Sequence, residues 1–163
     1  MAVGVDESPE VAISLPLGAA RLTNKFLKGD PYTDKSIRLL RDHVEEKLEQ
    51  ILPNLVKHQD SDRAIATSKT LRTLARLTGD WFDGNGKNIT ADAIRKLSAK
   101  LSEMDNNERA KLPGVSENRA SQIVAGAFVA ESVMRNLDIA ELEICPWALR
   151  EGVVLKWLDW MEA

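Results

Sequence analysis

A chain of 163 residues, 44% of them hydrophobic and 29% charged, has the composition of one globular domain with a sizeable core. A formal charge of −3 argues against a strongly basic nucleic-acid surface, although a local basic groove stays open. The one cysteine, Cys145, excludes an internal disulfide and a Cys-based zinc site, and fits a reducing compartment.

Ala2-Val3-Gly4-Val5 and Val11 to Leu17 read as two strands joined by the turn Asp6-Glu7-Ser8-Pro9. A first strand without a neighbour is an open edge, so we expect further chain upstream. Neither a basic leader nor a cleavable apolar stretch opens the sequence, and the cytoplasm is the expected location. Pro16 and Gly18 close the second strand, and Ala19 to Leu27 reads as a short helix. Ile37, Leu40, Val44, Leu48 and Ile51, spaced by three and four, form the apolar face of a long helix from Thr33 to Leu52, which Pro53 ends.

Arg63 to Ala66 reads as a buried strand, and Thr67-Ser68-Lys69-Thr70 leads straight into a helix over Leu71 to Leu77. Thr78 to Asn88 is a glycine-rich excursion carrying Trp81 and Phe82. Thr90 caps the next helix, with Ile94, Leu97, Leu101 and Met104 inward, and Asn106 to Ala110 is a short helix before Leu112-Pro113-Gly114. Ser116 caps a helix over Glu117 to Leu137, apolar enough in its middle to predict burial on more than one side. The longest apolar run there, Ile123 to Ala130, is far shorter than the ~20 residues of a membrane helix. Leu142 to Cys145 is a last strand, and Pro146 opens a final helix with Leu149, Val153, Trp157 and Trp160 on one face. The order predicts an α/β domain with a mixed sheet flanked by helices.

Chemistry is concentrated in Thr67-Ser68-Lys69-Thr70. A polar loop at the carboxyl end of a strand, opening a helix, aims free backbone N–H groups at one point, and hydroxyls and an ammonium add donors and charge. This suits phosphate. A Ser/Thr helix cap beside a solvated lysine is the simpler alternative on local pattern alone, and the GxxxxGK[ST] glycines of a Walker loop are absent. Leu112-Pro113-Gly114-Val115 with Ala120 and Ile123 resembles the helix-hairpin-helix of DNA-binding proteins, except that Ser116 stands where a second glycine is usual. His43 and His58 have no ligand-like neighbours and are expected to face solvent. Trp147, Trp157 and Trp160 are expected in core or domain contacts. No GxSxG turn is present.

Four segments in order go further. Ser14-Leu15-Pro16-Leu17-Gly18-Ala19-Ala20-Arg21-Leu22-Thr23 resembles the SLPLGAxRLT run of the exopolyphosphatase and guanosine pentaphosphate phosphatase family. Ala66 to Leu77 resembles the strand-loop-helix that follows it there. Gly114 to Ala127, with Arg119-Ala120 and Ile123-Val124-Ala125-Gly126-Ala127, resembles the family's RAxxIVAGA helix, and Cys145 to Val153 its closing WALREG segment. The wording is most similar to that of actinobacterial short exopolyphosphatases.

The resemblance implies an incomplete ribonuclease H-like lobe of the actin-like ATPase and sugar kinase superfamily. It would be the second lobe of a two-lobed core that holds its substrate in the cleft between lobes. It implies hydrolysis of terminal phosphoanhydride bonds of inorganic polyphosphate, or of a phosphorylated guanosine nucleotide, assisted by Mg²⁺. The family's DxGGGSxE phosphate loop and its first lobe, with the acidic residue thought to activate water, are not in this sequence. The chain is therefore expected to be a fragment without catalytic residues or metal ligands of its own, inactive alone and partnered by a first lobe. Within it, Thr67, Ser68, Lys69 and Thr70 are expected to bind phosphate. Lys69 stands where many relatives have glycine in a nucleoside-contacting loop, and would favour polyphosphate over a nucleotide. Arg119 either faces the cleft or pairs with Glu117 or a carbonyl. Arg150 and Glu151 are expected to form a structural pair, with Gly152 allowing close packing. Family members are often dimeric, and apolar surface uncovered by a missing lobe could also create a homodimer. A non-catalytic interaction domain of the same fold and a nucleic-acid module are the competing readings.

Overall fold

The computed structural model describes every residue except 6–7, 56, 58–62, 83, 148 and 163, and every side chain among these but those of residues 8, 149, 150, 159 and 162. Strands β1 (Ala2–Val5) and β2 (Ser8–Ala12) form an antiparallel hairpin with Ala2 opposite Ala12 and a register shift at Val3/Gly4. The second strand begins and ends earlier than its apolar residues suggest. Past Ala12 the chain stays irregular, yet its side chains keep a period of two. Val11, Ile13, Leu15 and Leu17 are half-buried against the core while the residues between them are exposed.

Helix α1 (Ala19–Phe26) buries Leu22 and Thr23. Helix α2 (Asp34–Glu49) starts where Thr33 accepts a hydrogen bond from the Ser36 N–H, and it buries Leu40, Val44 and Leu48, as their spacing predicts. His43 is not the solvent-facing side chain expected. It stacks on Phe26 with ring centroids 4.7 Å apart, and burial, then Lys25, lowers its pKa. His58 lies outside the described residues. Pro53 does not stop the path outright: the break falls at Gln50–Ile51, and Pro53 sits in the first turn of α3 (Leu52–Leu55), where its missing N–H costs nothing.

Strand β3 is only Ile65–Ala66, with Ala66 buried and Ile65 51% exposed. Helix α4 (Lys69–Trp81) continues a full turn past the expected end, through Gly79, and takes Trp81 out of the loop. Strand β4 (Asn88–Thr90) is absent from the sequence reading. It is three residues long, and Thr90 both ends it and caps α5 (Ala91–Glu103), so the capping signal masked the strand. Helix α6 (Asn106–Ala110) opens with a full capping box between Asp105 and Glu108.

The expected long helix from Glu117 is two, α7 (Glu117–Ala120) and α8 (Ile123–Asn136), and Ser116 makes no side-chain cap. Strand β5 (Glu141–Ile144) lies between β3, to which it is parallel, and β4, to which it is antiparallel. The sheet is thus mixed, as predicted, but it is separate from the β1–β2 hairpin. Helix α8 is the centre of the molecule: α1, α2, α4 and α5 all pack on it, and Val124, Ala125 and Ala127 are fully buried. Burial of such a helix on several sides is what its apolar circumference requires.

The last helix, α9 (Leu149–Glu162), is exposed at every described side chain from Glu151 to Met161, so Trp157 and Trp160 are not core residues of this chain. No helix among the described residues is long and apolar enough to cross a membrane.

Candidate phosphate-binding site

The loop after β3 turns into α4 through Ser68, whose hydroxyl oxygen accepts the Leu71 N–H at 3.0 Å. Ser68 is therefore the helix cap that the simpler alternative foresaw. Thr67 and Lys69 are exposed, and Thr70 is half-buried and turned toward α8. Its Cγ2 lies 2.5 Å from where a Cβ on Gly126 would stand, so α4 and α8 meet here through a position that admits only glycine without movement.

Beside this crossing is a cavity of about 70 Å³ lined by Thr70, Thr73, Val115, Arg119, Gln122 and Ile123. Its polar lining consists of hydroxyls, an amide and a guanidinium, with no carboxylate. Such a set suits a small anion. Thr70 and Gln122 also border a broader open groove that runs along Ser14-Leu15-Pro16 and Gly18 to Arg21. The structure thus brings Thr70 and Arg119 together and leaves Thr67, Ser68 and Lys69 outside the cavity's lining. Among the described residues no ion pair joins Arg119 to Glu117, which answers one side of the question the sequence left open.

Thr73 and Gln122 were missed by the sequence reading. The signal for Thr73 was its place one turn after Thr70 on the same helix face. Gln122 had none, because only the break between α7 and α8 turns it to the cavity. That break is pinned by two hydroxyls: Tyr32 Oη and Thr23 Oγ1 donate to the Ser121 carbonyl at 2.7 Å and 3.3 Å. Tyr32 is held by Arg109, whose guanidinium lies 4.5 Å from its ring centre. Burial raises the phenol's pKa, the Arg109 charge opposes this and Asp30 adds to it, so the hydroxyl stays a donor.

The Leu112–Gly114 turn packs on α4. Gly114 has φ 78°, its carbonyl accepts Thr73 Oγ1 at 3.3 Å, and a Cβ there would stand 2.8 Å from Arg76 Nη1. The Arg150 side chain lies outside the described residues. A Cβ on Gly152 would meet nothing within 4 Å, so no close packing occurs there in this structure. For Mg²⁺ the donors fit poorly. Among the described residues no group of three His, Cys, Asp or Glu is placed to hold a metal ion, and the cavity's own donors carry positive or no charge.

A mixed sheet, a buried central helix and an anion-suited cavity beside a strand-loop-helix define an α/β protein with the actin-like ATPase fold. The chain belongs to the Ppx/GppA phosphatase family, whose model matches residues 1–161. Exopolyphosphatase 1 of Mycobacterium bovis is 49% identical over 160 residues, covering 96% of this chain and 46% of the relative. A crystal structure of the Aquifex aeolicus member of the Ppx/GppA family superposes with a TM-score of 0.79 at 26% identity, covering 96% of this chain and 51% of that one. An exopolyphosphatase from Cytophaga hutchinsonii shares the fold with a TM-score of 0.83 at 20% identity, over 97% of this chain and 53% of the other. The chain therefore spans about half the length of the relatives it matches.

Proposed function

We propose that this chain is the second lobe of an exopolyphosphatase core, forming one wall of the cleft in which terminal phosphoanhydride bonds of inorganic polyphosphate are hydrolysed. The observation that carries the reading is the cavity at Thr70, Thr73, Arg119 and Gln122, which offers donors and positive charge and no carboxylate. The Arg119 guanidinium and the Thr70 hydroxyl would hold a phosphoryl group and offset its charge, which is the greater part of what a protein contributes to phosphoryl transfer. The base for water and the ligands for Mg²⁺ are not among these residues on this reading, so the chain alone is inactive. On this reading the exposed apolar side of α9 is the surface that meets the other lobe, because a face of that kind is otherwise left in water. The reducing compartment suggested by the lone cysteine makes the cytoplasm the proposed location.

Polyphosphate is preferred to a phosphorylated guanosine nucleotide because Lys69 is exposed at the mouth of the loop, where an ammonium attracts polyanion and crowds a base. The test is phosphate release from long-chain polyphosphate with Mg²⁺, comparing this chain with the same chain extended upstream. Turnover only in the extended form supports the split, and turnover by this chain alone overturns it. In the active form Lys69→Ala should raise KM for long chains more than it lowers kcat; an unchanged KM removes Lys69 from the site.

A further inference from the structure

The described arginines differ in whether a carboxylate neutralises them. Arg41, Arg63, Arg95, Arg109 and Arg135 each meet a carboxylate within 4 Å. Lys69, Arg72 and Arg76, all exposed on α4, meet none among the described residues, and neither does Arg119. At 100° per residue the three α4 cations fall within a 60° arc of the helix and span about 10 Å along its axis. Thr73 stands about 40° outside that arc and Thr70 about 100° outside it, on the side that lines the cavity, so the row runs beside the cavity. Arg72 Nη1 is tethered to the Pro146 carbonyl at 3.3 Å, and the Arg76 guanidinium rests over Gly114. Asp80, one turn past Arg76, closes the row. On the other side the open groove carries the exposed Arg21.

We infer that this row is a track for the body of a polyphosphate chain whose end occupies the cavity, so that Arg72 and Arg76 set chain-length preference without touching the terminal phosphate. The inference rests on the proposed function for the occupant of the cavity and adds where the rest of the substrate runs. An unpaired cationic row beside an anion cavity leaves charge for a ligand to neutralise; Arg38 on α2 is also unpaired among the described residues but stands alone and does not line the cavity. Polyphosphate fits better than nucleic acid because the arc holds no aromatic side chain on which bases could stack.

The experiment measures binding of tripolyphosphate and of a chain of several tens of phosphates to this protein, beside a single-stranded DNA of similar charge. The long chain should bind more tightly and with the steeper salt dependence, since it releases more counterions. Arg72→Gln with Arg76→Gln should weaken the long chain about tenfold and tripolyphosphate less than about twofold, and Arg72→Lys with Arg76→Lys should recover most of the loss. Equal weakening of both ligands overturns the track and leaves the cavity reading standing. DNA binding as tight as the long chain overturns the choice of polyphosphate, and binding of neither phosphate ligand by the unaltered protein overturns the track and the cavity together. Circular dichroism of the lysine variant guards against reading misfolding as lost affinity.

Discussion

Tyr32 Oη donates to the carbonyl of Ser121 at 2.7 Å across 89 positions of sequence. That carbonyl belongs to the break between α7 and α8, and Arg119 and Gln122 flank it on either side. A tyrosine from the loop before α2 therefore sets the angle at which two side chains of the cavity are presented. The Thr23 hydroxyl reaches the same oxygen, so α1 and the loop before α2 together fix one peptide unit.

Tyr32→Phe keeps the ring over Arg109 and removes only the hydroxyl. The net loss should be about 0.5–1.5 kcal/mol by urea denaturation, because Thr23 still satisfies the carbonyl. Anion affinity should fall as Arg119 and Gln122 loosen, and Thr23→Val in addition should deepen both effects. An unchanged affinity with reduced stability would confine Tyr32 to a structural role.

Gly126 supplies a test with a sign. Within a helix, glycine to alanine ordinarily stabilises by about 1 kcal/mol. Here the new Cβ would fall 2.5 Å from Thr70 Cγ2, so Gly126→Ala should instead cost about 1–3 kcal/mol. Thr70→Ser deletes that methyl and keeps the hydroxyl, and the double variant should recover most of the loss. A stabilised single variant would show that α4 and α8 can part freely at this point.

The legible parts of this fold were those where one period governed a whole element. Ile37 to Ile51 marked α2, and the apolar circumference of α8 announced its central place. Failures came where two signals shared a residue. Thr90 read as a cap and hid β4, and Gly79 read as a loop although α4 runs through it. Of the residues that line the cavity, the strand-loop-helix pattern points to Thr70 and the resemblance to Arg119. Gln122 depends on a helix break made by hydroxyls distant in sequence, which no local pattern records. The Trp residues of α9 read as core or domain contacts from their spacing; the core half does not hold in this chain, because spacing reports an apolar face and not what covers it.

Arg109 is fully buried and donates from Nη1 to the Met104 carbonyl at 2.7 Å and the Leu101 carbonyl at 3.3 Å, and from Nη2 to Asp30 Oδ1 at 3.3 Å. Replacing it by Met leaves two carbonyls and a carboxylate without their cation and withdraws the support under Tyr32. The expected cost is about 3–5 kcal/mol. Asp30→Asn should cost less, about 1–3 kcal/mol, because the carbonyls still hold the guanidinium. Equal losses would mean that the ion pair, and not the buried donor network, carries the stability.

Glu45 on α2 accepts from Arg135 Nη2 at 2.6 Å and from Asn136 Nδ2 at 2.9 Å, tying α2 to the end of α8. Burial pushes its carboxyl up, but hydrogen bonds from Ser132 and Asn136 and the Arg135 guanidinium outweigh burial and hold it below the usual 4.5. A carboxyl whose pKa is lower in the folded than in the unfolded chain contributes stability above the unfolded value. That contribution fades as pH falls through the folded value. Glu45→Gln should therefore lower Tm at neutral pH, and the gap between variant and parent should narrow steadily below about pH 4.5. Thermal melts across that range decide it: a gap independent of pH would mean the loss comes from packing, because only the ionised carboxylate distinguishes glutamate from glutamine at this position.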